Sequence, residues 1–201
     1  LYNLLSAYVL GAVPPYNELL GGKLVALLAG SREIVEHFRE KYKDAETVIR
    51  KRKPIAELVA IDTMGAFGQS AVYHGLKEWK FVGYTKGMTH YHLTMNGFWE
   101  TAYELAKILN LKSLKQNDYG NVANWKFRVL YELFSVLGIN HRIFETGHKR
   151  AYYFRPLTEN WKEFLTERTD NVVYTNKTAE EYFEFWKERW LKRRLYRYDA
   201  V

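Results

Sequence analysis

Between positions 62 and 92 the sequence gathers side chains that could do chemistry: Asp62, Thr63, Ser70, Tyr73, His74, His90 and His92. The densest run is Asp62-Thr63-Met64-Gly65-Ala66-Phe67-Gly68-Gln69-Ser70, which reads as a strand end, a glycine-punctuated turn and a helix start. Such a turn can aim backbone N–H groups at one point, where a phosphate or other anion sits with help from the helix dipole. Gly65, Gly68, Gln69 and Ser70 are therefore the candidate cofactor-binding residues. The spacing matches neither a P-loop nor a dinucleotide fingerprint, and a plain tight turn with a hydroxyl cap accounts for it equally well.

His90-Tyr91-His92 reads as part of a strand, where alternation sends both imidazoles to one face and Tyr91 to the other, into the core. The pair could line a cleft or share a metal; two half-buried, hydrogen-bonded structural histidines are the alternative. Asp62, at a strand's C-terminal end, is the candidate third group, with bonding of the turn amides as its plainer role. The candidate catalytic set is thus Asp62, Tyr73, His90 and His92, with Tyr73 or a histidine moving the proton in a group transfer. No Ser-His-Asp order, HExxH helix or paired-carboxylate motif is present, which disfavours a standard hydrolase. A metal-dependent nuclease stays open as an alternative if His90, His92 and Asp62 converge.

The formal net charge is +7, from 30 Lys and Arg against 23 Asp and Glu. That balance favours polyanionic partners. Arg50-Lys51-Arg52-Lys53 forms a basic connector, and four consecutive cations cannot all be paired locally. A late group of Arg189, Lys192, Arg193, Arg194 and Arg197 is interleaved with Trp190, Leu195, Tyr196 and Tyr198, a mixture suited to a nucleic-acid backbone and stacked bases. Lys23 and Lys86 complete the candidate nucleic-acid contacts. Against this, the connector could be a solvated loop, and Trp190 could dock a helix whose arginines face water.

Several elements must position these residues. Tyr16 to Leu28 reads as a helix weakened by Gly21-Gly22, with a strand through Leu24 to Leu28 as the competing reading. Ser31 caps a clearer helix to about Tyr42, with Ile34, Val35, Phe38 and Tyr42 at helical spacing. Glu57 to Thr63 is an apolar run of buried-strand type, followed by a short helix near Gln69 to Leu76. Trp79 to Tyr84 and Thr89 to Leu93 read as two strands joined through Lys86-Gly87. Helices follow over Gly97 to Leu109 and Asn124 to Leu137, the latter stopped by Gly138. Tyr152 to Leu157 is a strand, and Thr178 with Glu181 forms a capping box before a helix that turns Tyr182, Phe185, Trp186 and Trp190 inward. The fold class is α+β, a central mixed sheet flanked by helices.

At 201 residues, 47% of them hydrophobic and 26% charged, the chain reads as a single folded domain over 1–201. Having no cysteine, it carries neither disulfides nor thiolate metal sites, and a cytoplasmic location is the expectation. The apolar opening to Val13 lacks the basic lead of a signal peptide and is too short to span a bilayer. Its start at Leu1 reads as that of a fragment of a longer chain.

Taken together, Pro14-Pro15-Tyr16-Asn17, Leu20-Gly21-Gly22-Lys23-Leu24, Ala26-Leu27-Leu28, Gly68-Gln69-Ser70 with Tyr73, and Gly83-Tyr84-Thr85-Lys86-Gly87 before His90 and His92 resemble the DruA family of the Druantia anti-phage system. The resemblance runs on through Asn124-Trp125 and Trp186 to Trp190. It implies phage defence, protein partners within a defence assembly and, from some members, an N-acetyltransferase-like fold that uses an acyl-CoA. In that fold Leu58 to Leu76 would cradle the pyrophosphate, although this segment lacks the usual basic or glutamine residue followed by closely spaced glycines. The resulting expectation is a nucleic-acid-directed enzyme that modifies DNA bases by group transfer, with its site between Asp62 and His92. A noncatalytic DNA-binding component of a defence or mobile-element assembly is the alternative.

Overall fold

The computed structural model describes residues 2–47, 51–94, 97–114 and 125–198. The chain divides into two compact units, Leu1–Thr85 with Arg150–Val201, and Lys86–Lys149. The architecture is α+β, with a four-stranded mixed sheet in the order β1 (Leu4–Ala7), β2 (Ala60–Met64), β4 (Glu145–Pro156), β3 (Lys80–His90). Among the described residues, no helix is long and apolar enough to cross a membrane.

In the first unit, β1 (Leu4–Ala7) runs parallel to β2 (Ala60–Met64), and β2 pairs antiparallel with β4 (Glu145–Pro156). β2 starts later than the apolar run from Glu57 suggests. Leu58 and Val59 are nonetheless fully buried, and the Val59 N–H donates to Asn3 while its carbonyl accepts from Leu157. One sheet face carries Leu5, Ala7, Ile61, Ala151, Tyr153 and Leu157 into the main core. That core is closed by α1 (Gly21–Leu28), α2 (Arg32–Tyr42) and α6 (Ala179–Trp186).

α1 begins at Gly21 rather than Tyr16. Residue 20 takes a left-handed φ of 60°, and a β-carbon on Gly21 would lie 2.5 Å from the Tyr16 carbonyl oxygen. Only glycine tolerates so close an approach. The Trp186 indole N–H donates to the Leu20 carbonyl at 3.1 Å, which fastens α6 to this corner. α2 has the expected span, but the Ser31 hydroxyl makes no capping bond. Instead Glu33 accepts the Ala179 amide at 2.9 and 3.0 Å, so the first turn of α2 serves the start of α6. The capping box forms as expected: Thr178 accepts from the Glu181 amide, and Glu181 accepts from the Thr178 amide. Beyond α6 the chain widens into a π-helical stretch, Lys187–Leu191, before α7 (Lys192–Tyr198).

No helix forms over Gln69 to Leu76; the segment is a series of turns. The two expected strands on either side of Lys86-Gly87 are one continuous strand, β3 (Lys80–His90). In the second unit, α3 (Phe98–Ile108) and α4 (Trp125–Val136) pack Trp99, Ala102, Ala106, Leu130, Leu133 and Phe134 around Phe144. Gly138 stops α4 as the sequence suggests, with φ 70° and the Ile139 N–H bonded back to Phe134 at 2.8 Å. Asn124 and Arg50 lie outside the described residues.

Candidate functional site

Strand alternation separates two of the candidate catalytic residues. Ile61 and Thr63 point to the core face of the sheet, so Asp62 points to the opposite face. There Asp62 Oδ2 accepts the Tyr152 hydroxyl at 2.9 Å, and Phe154 packs on Trp161 with ring centroids 4.7 Å apart. Burial and the neighbouring carboxylate push the Tyr152 phenol up to about 12. Tyr73 lies on the core side, buried, with its ring tilted against Tyr153 at 4.5 Å between centroids. Asp62 and Tyr73 are thus on opposite faces of one sheet and do not meet. Burial also raises the Tyr73 phenol, which makes it a holder of its proton rather than a base.

His90 and His92 belong to the second unit. β3 ends at His90, so His92 falls beyond the strand and the alternation that would pair the two imidazoles does not extend to it. Both are exposed, and His90 leans on Phe127 and Tyr131 at 5.7 and 6.4 Å. Tyr91 is 53% exposed and does not pack into a core as expected. Among the described residues, no group of three or more His, Asp or Glu side chains could hold a metal ion.

The glycine turn is tight, and three amides at its two ends have protein partners. Gly65 N–H donates to Ala151 O at 2.8 Å, Ser70 N–H to the Tyr153 hydroxyl at 2.8 Å, and Val72 N–H to Ser70 Oγ at 3.2 Å. Gly68 has φ 59° and bridges to Arg150, and a β-carbon on Gly65 would come within 2.7 Å of the Gly68 carbonyl. With these N–H groups engaged and no helix following, the turn does not fit the pyrophosphate of an acyl-CoA.

A cleft of about 600 Å³ opens where the turn meets α1 and the start of β3. Lys23, Gln69, Ser70, Tyr73, His74 and Trp79 line it, with Phe81 and Tyr153. Four of the candidate residues therefore come together: Lys23, Gln69, Ser70 and Tyr73. Lys23 is not free for a phosphate. Its ammonium donates to the carbonyls of Ala71, Val72 and His74 at 2.6, 3.3 and 2.7 Å and lies 5.4 Å above the Trp190 ring. Burial, with the Arg189 charge nearby, lowers its pKa. The exposed His74 contributes the imidazole of the lining.

Sequence reasoning missed the cleft's aromatic wall and the cation behind it. Arg155, 1% exposed, donates to the carbonyls of Ala26 and Leu27 at 2.6 and 2.8 Å, and its guanidinium lies 5.9 Å from Trp79 and 5.1 Å from Tyr182. A side chain on Gly30 would collide with it. The available signal was an arginine inside an otherwise apolar strand, where charges are rarely buried without partners.

The remaining basic candidates differ in how they are held. Arg52 pairs with Glu167 at 3.3 Å, Lys192 with Glu188 at 2.5 Å, and Arg194 donates to the Glu18 carbonyl at 3.2 Å. Arg189 lies over Phe185 and Trp190. Lys51, Lys53, Lys86 and Arg193 are exposed and, among the described residues, have no carboxylate at ion-pair distance.

Fold and site together define a basic α+β protein with a mixed four-stranded sheet and an aromatic cleft under a glycine turn. The chain belongs to the DruA family: the family model described as Druantia protein DruA matches residues 1–167. Druantia protein DruA of Escherichia coli (strain UMEA 4076-1) is 34% identical over 197 residues, covering 95% of this chain and 48% of the relative. The chain therefore spans about half the length of that relative. No solved structure matches.

Proposed function

We propose that this chain is a nucleic-acid-contacting component of a Druantia-type anti-phage defence system, working with protein partners and acting on DNA. Family membership supports the defence setting. The observation that carries the DNA contact is the set of exposed cations that have no carboxylate partner among the described residues, Lys51, Lys53, Lys86 and Arg193, in a chain of net charge +7. Such cations release counterions from phosphates on binding. If these four each meet a phosphate, affinity for a short duplex should fall about 100-fold between about 50 and about 200 mM salt. Fluorescence anisotropy across that range is the test, and salt-independent binding, or none at the low end, sinks the reading.

Modification of a base by group transfer is the second reading, and the exposed His74 at the cleft favours it. His90 and His92 remain candidate bases in the second unit. For this reading, DNA recovered from cells expressing the protein, where a small-molecule group donor is at hand, would yield nucleosides with an added mass. His74→Ala should abolish it without loss of DNA binding.

A further inference from the structure

We propose that the cleft of the first unit receives a single nucleobase swung out of a DNA strand, with its sugar and phosphates left outside. This deepens the DNA reading above and rests on it.

The shape of the cleft suits a flat guest. Its volume, about 600 Å³, lies within the range of small-ligand sites. Three buried rings back it, none more than 6% exposed, with centroids 5.1 Å apart for Tyr73 and Trp79 and 4.5 Å for Tyr73 and Tyr153, so the ring surface open to a guest is that of Phe81 and Tyr84. Two of the rings are fixed by a polar bond at the edge: the Trp79 indole N–H donates to the Ala26 carbonyl at 3.0 Å, and the Tyr153 hydroxyl accepts from the Ser70 amide at 2.8 Å. Phe81, 43% exposed, meets Tyr153 edge-on at 5.8 Å and leaves ring surface open. Tyr84 continues that aromatic surface, 5.1 Å from Phe81. Sequence-tolerant stacking of bases on such rings is a common mode of strand binding.

The charge of the cleft selects among flat guests. No Asp or Glu lines it, Lys23 is enclosed by three carbonyls, and Arg155 lies behind Trp79. A cationic guest would meet two cations, and an anionic guest would find the one lining ammonium already engaged. A neutral, hydrogen-bonding ring avoids both costs. Gln69, Ser70 and His74 then offer donors and acceptors for a base edge.

The test uses the whole chain and duplexes carrying one 2-aminopurine opposite a mismatch, the same duplex with an abasic site, and free 2-aminopurine nucleoside. The wild-type protein should change 2-aminopurine fluorescence and prefer the mismatched over the abasic duplex by about 5- to 150-fold. Phe81→Ala, at an exposed ring, and Ala71→Trp, which fills the cleft, should each erase that preference, with folding checked by circular dichroism. Equal binding of mismatched and abasic duplexes overturns the base site while leaving the DNA reading intact. Absence of binding to every duplex overturns both. Binding of the free nucleoside with no preference between duplexes overturns extrusion from a strand.

Discussion

Tyr152 and Asp62 meet across β4 and β2 on the sheet face turned away from the main core, and their contact ties the phenol's proton to the fold. The phenol is raised to about 12 against an ordinary 10.0. Between those values the folded state holds a proton that the unfolded state has lost. The contribution is therefore fully present below about pH 10 and disappears as pH rises towards 12. Burial also raises the phenols of Tyr73 and Tyr174, so absorbance titration of tyrosinate should show several late-titrating tyrosines in the wild type and one fewer in Tyr152→Phe. The variant should also lose less stability than the wild type over that window; identical profiles would remove the contact. At this scale the sequence was only partly legible. Asp62 was visible as a carboxylate at a strand end, but its partner is 90 residues away and no local spacing announces it. Tyr73 was visible as a hydroxyl near a turn, while its burial depends on Tyr153 and Trp79 closing over it.

Elements with their own periodicity and end signals could be read directly, because the forces that set them are local. α2 and α3 fall within a residue or two of their sequence patterns, and α6 starts where the Thr178–Glu181 box places it, with both reciprocal bonds formed, although the helix expected to carry Trp190 turns π-helical from Lys187. Thr178→Ala should cost about 1 kcal/mol, seen as a lower urea midpoint with an unchanged slope. An unchanged midpoint would mean that Glu33, which also accepts the Ala179 amide, caps α6 alone. The segment from Gln69 to Leu76 failed as a helix for a reason no window of sequence contains. The carbonyls of Ala71, Val72 and His74 are drawn to the ammonium of Lys23, about 50 residues earlier, so they are turned towards a cation instead of along a helix axis. The sequence suggests two strands in place of β3 because Lys86-Gly87 looks like a turn. Pairing with β4 keeps it extended.

For the whole molecule, net charge was legible and its allocation was not. A count of cations treats Lys23 and Lys51 alike, yet one is enclosed by carbonyls and the other faces solvent. Lys23→Met should leave the salt dependence of DNA binding unchanged and lower stability by about 1–3 kcal/mol, since three carbonyls lose their donor. Lys51→Ala with Lys53→Ala should do the reverse, reducing the salt slope by about 2 with little change in melting temperature. Calorimetry and anisotropy on the same samples separate the two, and a matched loss in both measurements for Lys23→Met would place it at the DNA surface after all.

The π-helical stretch at Lys187–Leu191 sets an angular phase. Tyr182 and Trp186 fix which side of α6 faces the core, and every residue after the wide turn is rotated relative to that reference. Each residue of an ordinary helix advances the side-chain direction by about 100°. Winding Lys187–Leu191 as ordinary α-helix with no residue removed would swing the side chains of α7 round by roughly that angle, because the wide turn absorbs about one residue's advance. Arg193, Arg194 and Tyr196 would then leave the directions they hold now, with composition and charge untouched. The heading of this basic, aromatic segment is thus set by the wide turn that takes up one residue of the helix that carries it.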